Sequence, residues 1–159
     1  MAVAYLKLNR PEQALILCGG LGTRLRPHTD QLPKPMIPCN SKPFLLYLLQ
    51  QMSDQGLRRF VLLTGYLGGN IKNYFGDGSQ WGWDIQYSNG PIDWDTGKRI
   101  WEAKSKLEDR FILLYSDNFV QFNLKKLTDL HQKEHVALSL LLAPKPKGNI
   151  RVSSTGRIE

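Results

Sequence analysis

Apolar residues in this chain fall into short continuous runs, which predict strands that are covered on both faces. A strand with one face in water would instead alternate apolar and polar residues. The runs lie at residues 14–17, 60–64, 111–115 and 137–142, and residues 84–87 are a further predicted strand. The pattern therefore predicts a sheet of buried strands.

Between these runs, apolar residues recur three and four positions apart, as is typical of helices packed on a sheet. The spacing predicts helices over residues 43–55, 70–75, 99–107 and 124–134. Gly56 is placed to end the first helix, and the Asn123 side chain to cap the last. Prolines within 33–38 disfavour a helix and predict an extended segment that presents Lys34 at a fixed place.

Strands that alternate with helices predict an α/β fold with a mainly parallel sheet, in which ligands bind beyond the carboxyl ends of strands. We expect one domain over residues 13–159, after an N-terminal extension at 1–12. A Ser-Ser-Thr-Gly turn at 153–156 predicts a terminal hairpin. Packing under loops is the favoured interpretation of Trp81, Trp83 and Trp94, over a stacking platform for a base.

Composition favours a soluble globular protein, since 42% of the 159 residues are hydrophobic. No apolar run approaches the roughly 18 residues of a membrane span, and the first residues lack a signal-peptide core. We therefore expect a cytoplasmic protein that does not bind membranes. Cys18 and Cys39 lack metal-binding spacing, and His131 and His135 lack an acidic third ligand, so neither pair predicts a metal site.

The net charge of +7, from 21 basic and 14 acidic residues, favours anionic partners. Nucleic acid is one such class. The basic residues are, however, scattered or next to acidic ones, and the chain has neither an arginine-rich arm nor a basic-aromatic segment. We therefore expect nucleotides rather than nucleic acid.

A glycine-rich loop follows the first predicted strand and carries fixed positive charge at Arg24 and Arg26. Glycines let backbone N–H groups approach an anion closely, so this arrangement suits phosphate, although an ordinary glycine turn with solvated cations is the alternative. The segment lacks the lysine of a P-loop and the third glycine of a dinucleotide fingerprint.

The pattern G-G-x-G-T-R-L-x-P at 19–27, followed by P-K-P-M at 33–36, closely resembles the signature of the sugar-1-phosphate nucleotidyltransferases. The pattern across residues 65–79 looks most like the mannose- and heptose-1-phosphate guanylyltransferases, with cytidylyl and thymidylyl enzymes close behind. The resemblance implies a Rossmann-like three-layer fold with a mainly parallel, mixed sheet. It also implies transfer of a nucleoside monophosphate from a nucleoside triphosphate to a sugar 1-phosphate, which releases pyrophosphate.

By the same resemblance, the catalytic residues are Arg24, Lys34 and Asp117, and Asp117 holds Mg²⁺. The implied nucleotide-binding residues are Leu17, Gly19, Gly20, Gly22, Thr23, Thr96 and Gly97. A lone aspartate after a strand also suits a turn cap, so the role of Asp117 depends on the resemblance.

The resemblance covers about residues 13–158 but corresponds to only half to two-thirds of a complete catalytic domain. We therefore expect a C-terminally truncated chain, and a catalytically weak nucleotide-binding or regulatory subunit of the same fold is the alternative function. A chain that stops within a hairpin leaves a sheet edge uncovered, which predicts a homo-oligomer.

Overall fold

The computed structural model describes residues 11–142, 148 and 150–158, and the secondary structure follows these bounds. The strands are β1 (Gln13–Cys18), β2 (Pro38–Cys39), β3 (Lys42–Pro43), β4 (Arg59–Thr64), β5 (Asp84–Asn89) and β6 (Phe111–Tyr115). The helices are α1 (Phe44–Asp54), α2 (Gly68–Phe75), α3 (Thr96–Glu102) and α4 (Leu124–Glu134). None of the helices in these ranges is long and apolar enough to cross a membrane.

The main sheet has the order β5-β4-β1-β6, and its strands are parallel throughout. Strand β1 lies in the interior, with Ala14 opposite Phe60 on β4 and Ile112 on β6. A separate antiparallel hairpin joins β2 to β3. The predicted α/β fold with a mainly parallel sheet is confirmed.

Helices cover both faces of the sheet, which makes three layers. Ala14 and Ile16 pack with residues of α1 and α2 on one face, whereas Leu15 packs with Ala103 on the other. Trp83 is buried on the first face, where its Nε1 donates to Ser53 Oγ at 2.9 Å and its ring stacks on Trp81. The packing interpretation is thus confirmed for these two tryptophans.

The predicted strands at 14–17, 60–64, 84–87 and 111–115 and the helices at 43–55, 70–75 and 124–134 are confirmed, with ends that shift by a few residues. The helix predicted at 99–107 was wrong in its bounds. Helix α3 begins at Thr96, because the Asp95 side chain accepts a hydrogen bond from Lys98 N at 2.7 Å and caps it. A separate 3₁₀ turn, Lys104–Lys106, follows.

The prediction of an extended segment at 33–38 was wrong in part, because Lys34–Met36 forms a 3₁₀ turn. Its hydrogen bonds need only the N–H groups of Met36 and Ile37, which donate to the carbonyls of Pro33 and Lys34. Proline is tolerated in such a first turn because its missing N–H is not required there. Pro35 and Met36 are buried and anchor the turn.

The strand predicted at 137–142 was wrong, because these residues pair with none of the described strands. Leu138 is 69% exposed. The expectation that β6 is covered on both faces was wrong as well, since Leu113 and Tyr115 are 39% and 52% exposed on this edge strand. An apolar run becomes a buried strand only when a partner strand and a covering layer meet it.

The C-terminal turn has the predicted position. Val152 and Ile158 form an antiparallel bridge, and Ser153 N donates to the Arg157 carbonyl at 2.8 Å. Gly156 has a φ of 81°, a conformation that favours glycine.

Candidate functional site

A cavity of about 480 Å³ opens at the carboxyl ends of β1 and β6. One wall is formed by Lys34 and by six residues of the glycine loop, namely Gly19, Gly20, Gly22, Thr23, Arg24 and Leu25. A second group of lining residues, which we call the second wall, consists of Ile92, Trp94, Asp95, Thr96 and Arg99. Asp117 and its neighbours after β6 complete the lining, so the cavity lies where parallel α/β sheets bind ligands.

The structure brings every site residue predicted from the sequence to this cavity except Gly97. Gly97 lies in the first turn of α3, next to the Asp95 side chain that caps the helix. The prediction missed several lining residues, namely Cys18, Leu25, Pro35, Ile92, Trp94, Asp95, Arg99, Tyr115 and Ser116.

Two glycines of the loop differ in what their surroundings would allow. Gly22 has a φ of 63°, and an added Cβ would lie 2.9 Å from Thr29 Cγ2. Backbone and packing therefore both require glycine at this position. At Gly20 the φ is not positive and an added Cβ would meet nothing within 4 Å. Gly20 leaves a space on the cavity wall that a side chain would fill.

The segment after the glycine loop is braced by side chains on and before α2. Thr29 Oγ1 donates to the Gly22 carbonyl at 3.0 Å, and Tyr66 Oη donates to the Thr29 carbonyl at 3.0 Å. Asn70 Nδ2 also donates to the Gln31 carbonyl at 3.0 Å. These hydrogen bonds link the glycine loop and the segment after it to the end of β4 and to α2.

The two arginines of the loop differ in their surroundings. Arg26 Nε lies 3.3 Å from Asp30 Oδ1 in an exposed ion pair outside the cavity. Arg24 lines the cavity, and no ion pair or hydrogen bond joins its guanidinium to another side chain of the described part of the chain. Arg24 is thus the arginine whose charge is available to a bound anion.

Two residues of the cavity lining, Lys34 and Asp117, form an ion pair in which Nζ and Oδ2 are 2.7 Å apart. Both side chains are about a third exposed, at 30% and 34%. Asp117 reaches this place because Ser116 N donates to the Leu17 carbonyl at 3.3 Å and continues the pairing of β6 with β1. The pair therefore joins the segments that follow two neighbouring strands.

Cys18 lies at the base of the cavity and is unsuited to act as a nucleophile. Burial raises the pKa of its thiol to about 12, although a hydrogen bond with Ser116 opposes the shift. The reactive form of cysteine is the thiolate, which is scarce at neutral pH when the pKa is so high.

The second wall presents apolar and aromatic surface to the cavity. The Trp94 ring packs against the Cα of Gly90, a place where an added Cβ would overlap the ring. Lys98 Nζ lies 5.5 Å from the centroid of the Trp94 ring. Trp94 therefore packs against its loop, as the favoured interpretation has it, and also lines the cavity.

Residues 13–152 match the family described as nucleotidyl transferase. The D-glycero-alpha-D-manno-heptose 1-phosphate guanylyltransferase of Aneurinibacillus thermoaerophilus is 37% identical over 133 residues, which are 83% of this chain and 57% of the relative. The enzyme of the same name from Campylobacter jejuni is 39% identical over 115 residues, which are 72% of this chain and 52% of the relative.

The solved structure of HddC from Yersinia pseudotuberculosis complexed with GMP-PN superposes with a TM-score of 0.66 at 28% identity. The match covers 76% of this chain and 54% of HddC. The chain thus spans about half the length of these relatives. The similarities confirm the resemblance that the glycine-loop and P-K-P-M motifs indicated.

Proposed function

This chain belongs to the nucleotidyl transferase family, and from that premise we propose that it transfers a nucleoside monophosphate from a nucleoside triphosphate to a sugar 1-phosphate. An oxygen of the sugar phosphate attacks the α-phosphorus, and the bond from that phosphorus to the bridging oxygen of the β-phosphate breaks. The products are a nucleoside-diphosphate sugar and pyrophosphate. The observation that carries this proposal is a cavity that combines a glycine loop with the cations Arg24 and Lys34.

The chemistry needs no general base from the protein. A sugar 1-phosphate has a second pKa near 6, as other phosphate monoesters do, so it is mostly a dianion at neutral pH. The remaining task is to align donor and acceptor and to neutralise charge. A preformed cavity lined by fixed cations and backbone N–H groups is suited to that task.

In this proposal the glycine loop holds the triphosphate. Leu17, Gly19, Gly20, Gly22 and Thr23 supply backbone and hydroxyl contacts, and the open space beside Gly20 admits a phosphate oxygen. Arg24 stabilises the pyrophosphate leaving group, since its guanidinium faces the cavity without an acidic partner in the described residues. Lys34 contacts phosphates across the reacting centre.

Asp117 is the residue that we propose to hold Mg²⁺. The described residues contain no cluster of three or more histidine, cysteine or acidic side chains, so a cage built by the protein alone is not available there. Mg²⁺ commonly binds through one or two carboxylates plus substrate phosphates, and the single Asp117 carboxylate beside a phosphate-binding loop fits that donor set. When bound, the ion supplies neutralisation of phosphate charge.

The second wall is suited to the nucleoside, since Trp94 and Ile92 offer apolar surface and Thr96 offers a hydroxyl. Gly97 lies in the first turn of α3, next to Thr96 of this wall. Relatives named as heptose 1-phosphate guanylyltransferases, and one named as a mannose-1-phosphate guanylyltransferase, support GTP and a heptose or mannose 1-phosphate as the substrates.

Calorimetric titration with GTP, CTP, UTP and dTTP, followed by an assay of pyrophosphate release with mannose or heptose 1-phosphate, tests the proposal. We expect GTP to bind most tightly and to release pyrophosphate only with a sugar 1-phosphate. Binding without turnover would instead support the alternative of a catalytically weak or regulatory subunit. Absence of binding by all four nucleotides would contradict the proposal.

A further inference from the structure

Arg99 is a buried arginine whose guanidinium binds three backbone carbonyls. Its side chain is on α3, and the residue is only 6% exposed. Its Nη1 donates to the Thr64 carbonyl at 2.8 Å, its Nη2 to Pro91 at 2.6 Å, and its Nε to Trp94 at 3.2 Å. One side chain thus links the end of β4 to the loop that carries the second wall.

The same guanidinium lies against two glycines. An added Cβ on Gly19 would lie 2.5 Å from Arg99 Cζ, and one on Gly65 would lie 2.9 Å from Arg99 Nη2. Neither glycine has a positive φ, so lack of space rather than backbone conformation excludes a side chain. Arg99 takes that space at Gly19, and Arg99 together with the Gly19 carbonyl oxygen takes it at Gly65. Arg99 therefore also contacts the first residue of the glycine loop.

No ion pair joins Arg99 to an acidic side chain of the described residues. The three carbonyls are its hydrogen-bond acceptors, and a buried guanidinium is costly unless it serves such a set. Arginine presents its donors in a rigid planar fork, whereas a lysine ammonium is a point charge on a flexible stem. Lysine cannot make the same three bonds in one plane.

We propose that Arg99 is a positioning residue that holds the second wall against the glycine loop, so that the nucleoside side of the cavity is formed before any ligand binds. This inference rests on the proposed function. Arg99 acts through the loop at 90–96 and not through the phosphate groups. Its loss therefore weakens ligands that contact both walls and spares ligands that contact only the glycine loop.

The test compares GTP with inorganic pyrophosphate by calorimetry in the wild type, Arg99→Lys and Arg99→Met. We expect GTP affinity to fall by at least about tenfold in both variants, since the two hydrogen bonds from the guanidinium to the loop, at Pro91 and Trp94, are lost. Pyrophosphate affinity of Arg99→Lys stays within about twofold of the wild type, because pyrophosphate contacts only the glycine loop and the variant leaves the net charge unchanged.

Arg58→Lys is the matched control. Arg58 Nη1 also donates to backbone carbonyls, those of Ser53 and Leu57, but it lies outside the cavity lining. Its replacement leaves GTP affinity unchanged. Unchanged GTP affinity in Arg99→Lys, or an equal loss of GTP and pyrophosphate affinity, would overturn the proposal. Failure of the wild type to bind GTP would contradict the proposed function instead.

Hydrogen–deuterium exchange on the ligand-free wild type tests the positioning role without any variant or nucleotide. We expect the amides of 92–96 to exchange more slowly than those of the irregular segment 118–122, because Arg99 holds the loop. Exchange at 92–96 that is as fast as at 118–122 would overturn the proposal even if the variants fail to fold.

Discussion

The two walls of the cavity reach their conformations by different means. The glycine loop is one continuous segment, and its geometry follows from local features such as the positive φ of Gly22 and the bond from Thr29 to the Gly22 carbonyl. The second wall depends on Arg99, which binds Thr64, Pro91 and Trp94 from a neighbouring helix. A wall formed by one continuous segment can be recognised from a sequence motif, whereas a wall held by tertiary contacts cannot.

The two walls also differ in the chemistry of their side chains. The glycine loop side carries Arg24 and Lys34 and is suited to phosphate, whereas the second wall presents Trp94 and Ile92. Changes to the first wall should therefore act on every phosphate-bearing ligand. Changes to the second wall should act on the nucleoside part alone.

Lys34→Ala gives the largest expected effect on binding. It removes a charge-assisted contact to phosphate, worth roughly 1.5 to 3 kcal/mol of binding free energy. GTP and inorganic pyrophosphate should weaken alike in calorimetry. Lys42→Ala is the control, since Lys42 is exposed on β3 and lies outside the cavity lining. Equal affinities in wild type and Lys34→Ala would break the assignment of phosphate to this wall.

Gly22→Ala and Gly20→Ala separate the two roles of glycine in the loop. We expect Gly22→Ala to lower the free energy of unfolding by about 1–2 kcal/mol, because alanine is strained at positive φ and its Cβ would approach Thr29. Gly20→Ala should leave unfolding unchanged in denaturant titrations but weaken GTP binding, since its methyl group enters the cavity. Equal unfolding midpoints for both variants would contradict this distinction.

Asp117→Asn removes a negative charge and nearly preserves the shape of the side chain. We expect GTP binding to lose its dependence on Mg²⁺ while the thermal midpoint stays close to that of the wild type. Calorimetry with and without Mg²⁺ measures this. The Asp95→Asn variant is a suitable control, because Asp95 caps α3 and is not proposed to bind the ion. An unchanged Mg²⁺ dependence in Asp117→Asn would contradict the proposal that Asp117 binds the ion and would favour the alternative role of a turn cap.

The two cysteines give the smallest expected effect and test how closed the base of the cavity is. At pH 8, iodoacetamide should label exposed Cys39 and leave buried Cys18 unlabelled, as mass spectrometry can show. Because the Cys18 pKa is raised from 9.0 to about 12, the unfolded chain loses this proton first as the pH rises. The buried, protonated Cys18 therefore makes its full contribution to the free energy of unfolding below pH 9, and this contribution is lost between pH 9 and about 12. Labelling of Cys18 in the folded protein would contradict this description.

Much of the fold was predictable because its signals are local. Strands β1 and β4 are continuous apolar runs, and α1 has helical spacing that ends near Gly56. The run at 137–142 has the same signal but does not form a strand, because strand pairing depends on a partner at another place in the chain.

The candidate site was predictable where residues carry a motif, as at Arg24, Lys34 and the glycines. Arg99 was not predictable, since nothing in the segment 95–99 indicates that its guanidinium will lie against Gly19 and Gly65. The expectations of a cytoplasmic location, an N-terminal extension at 1–12 and a homo-oligomer stay predictions.

The most direct test of the central claim is pyrophosphate release from GTP and a heptose or mannose 1-phosphate by Arg24→Ala and Arg26→Ala. The two variants lose the same charge from the same loop, but Arg24 faces the cavity whereas Arg26 pairs with Asp30 outside it. We expect Arg24→Ala to lower kcat/KM by a factor that corresponds to a loss of roughly 1.5 to 3 kcal/mol of transition-state stabilisation. We expect the kcat/KM of Arg26→Ala to resemble that of the wild type. Equal activity of the two variants would contradict the assignment of this cavity as the nucleotidyl transfer site.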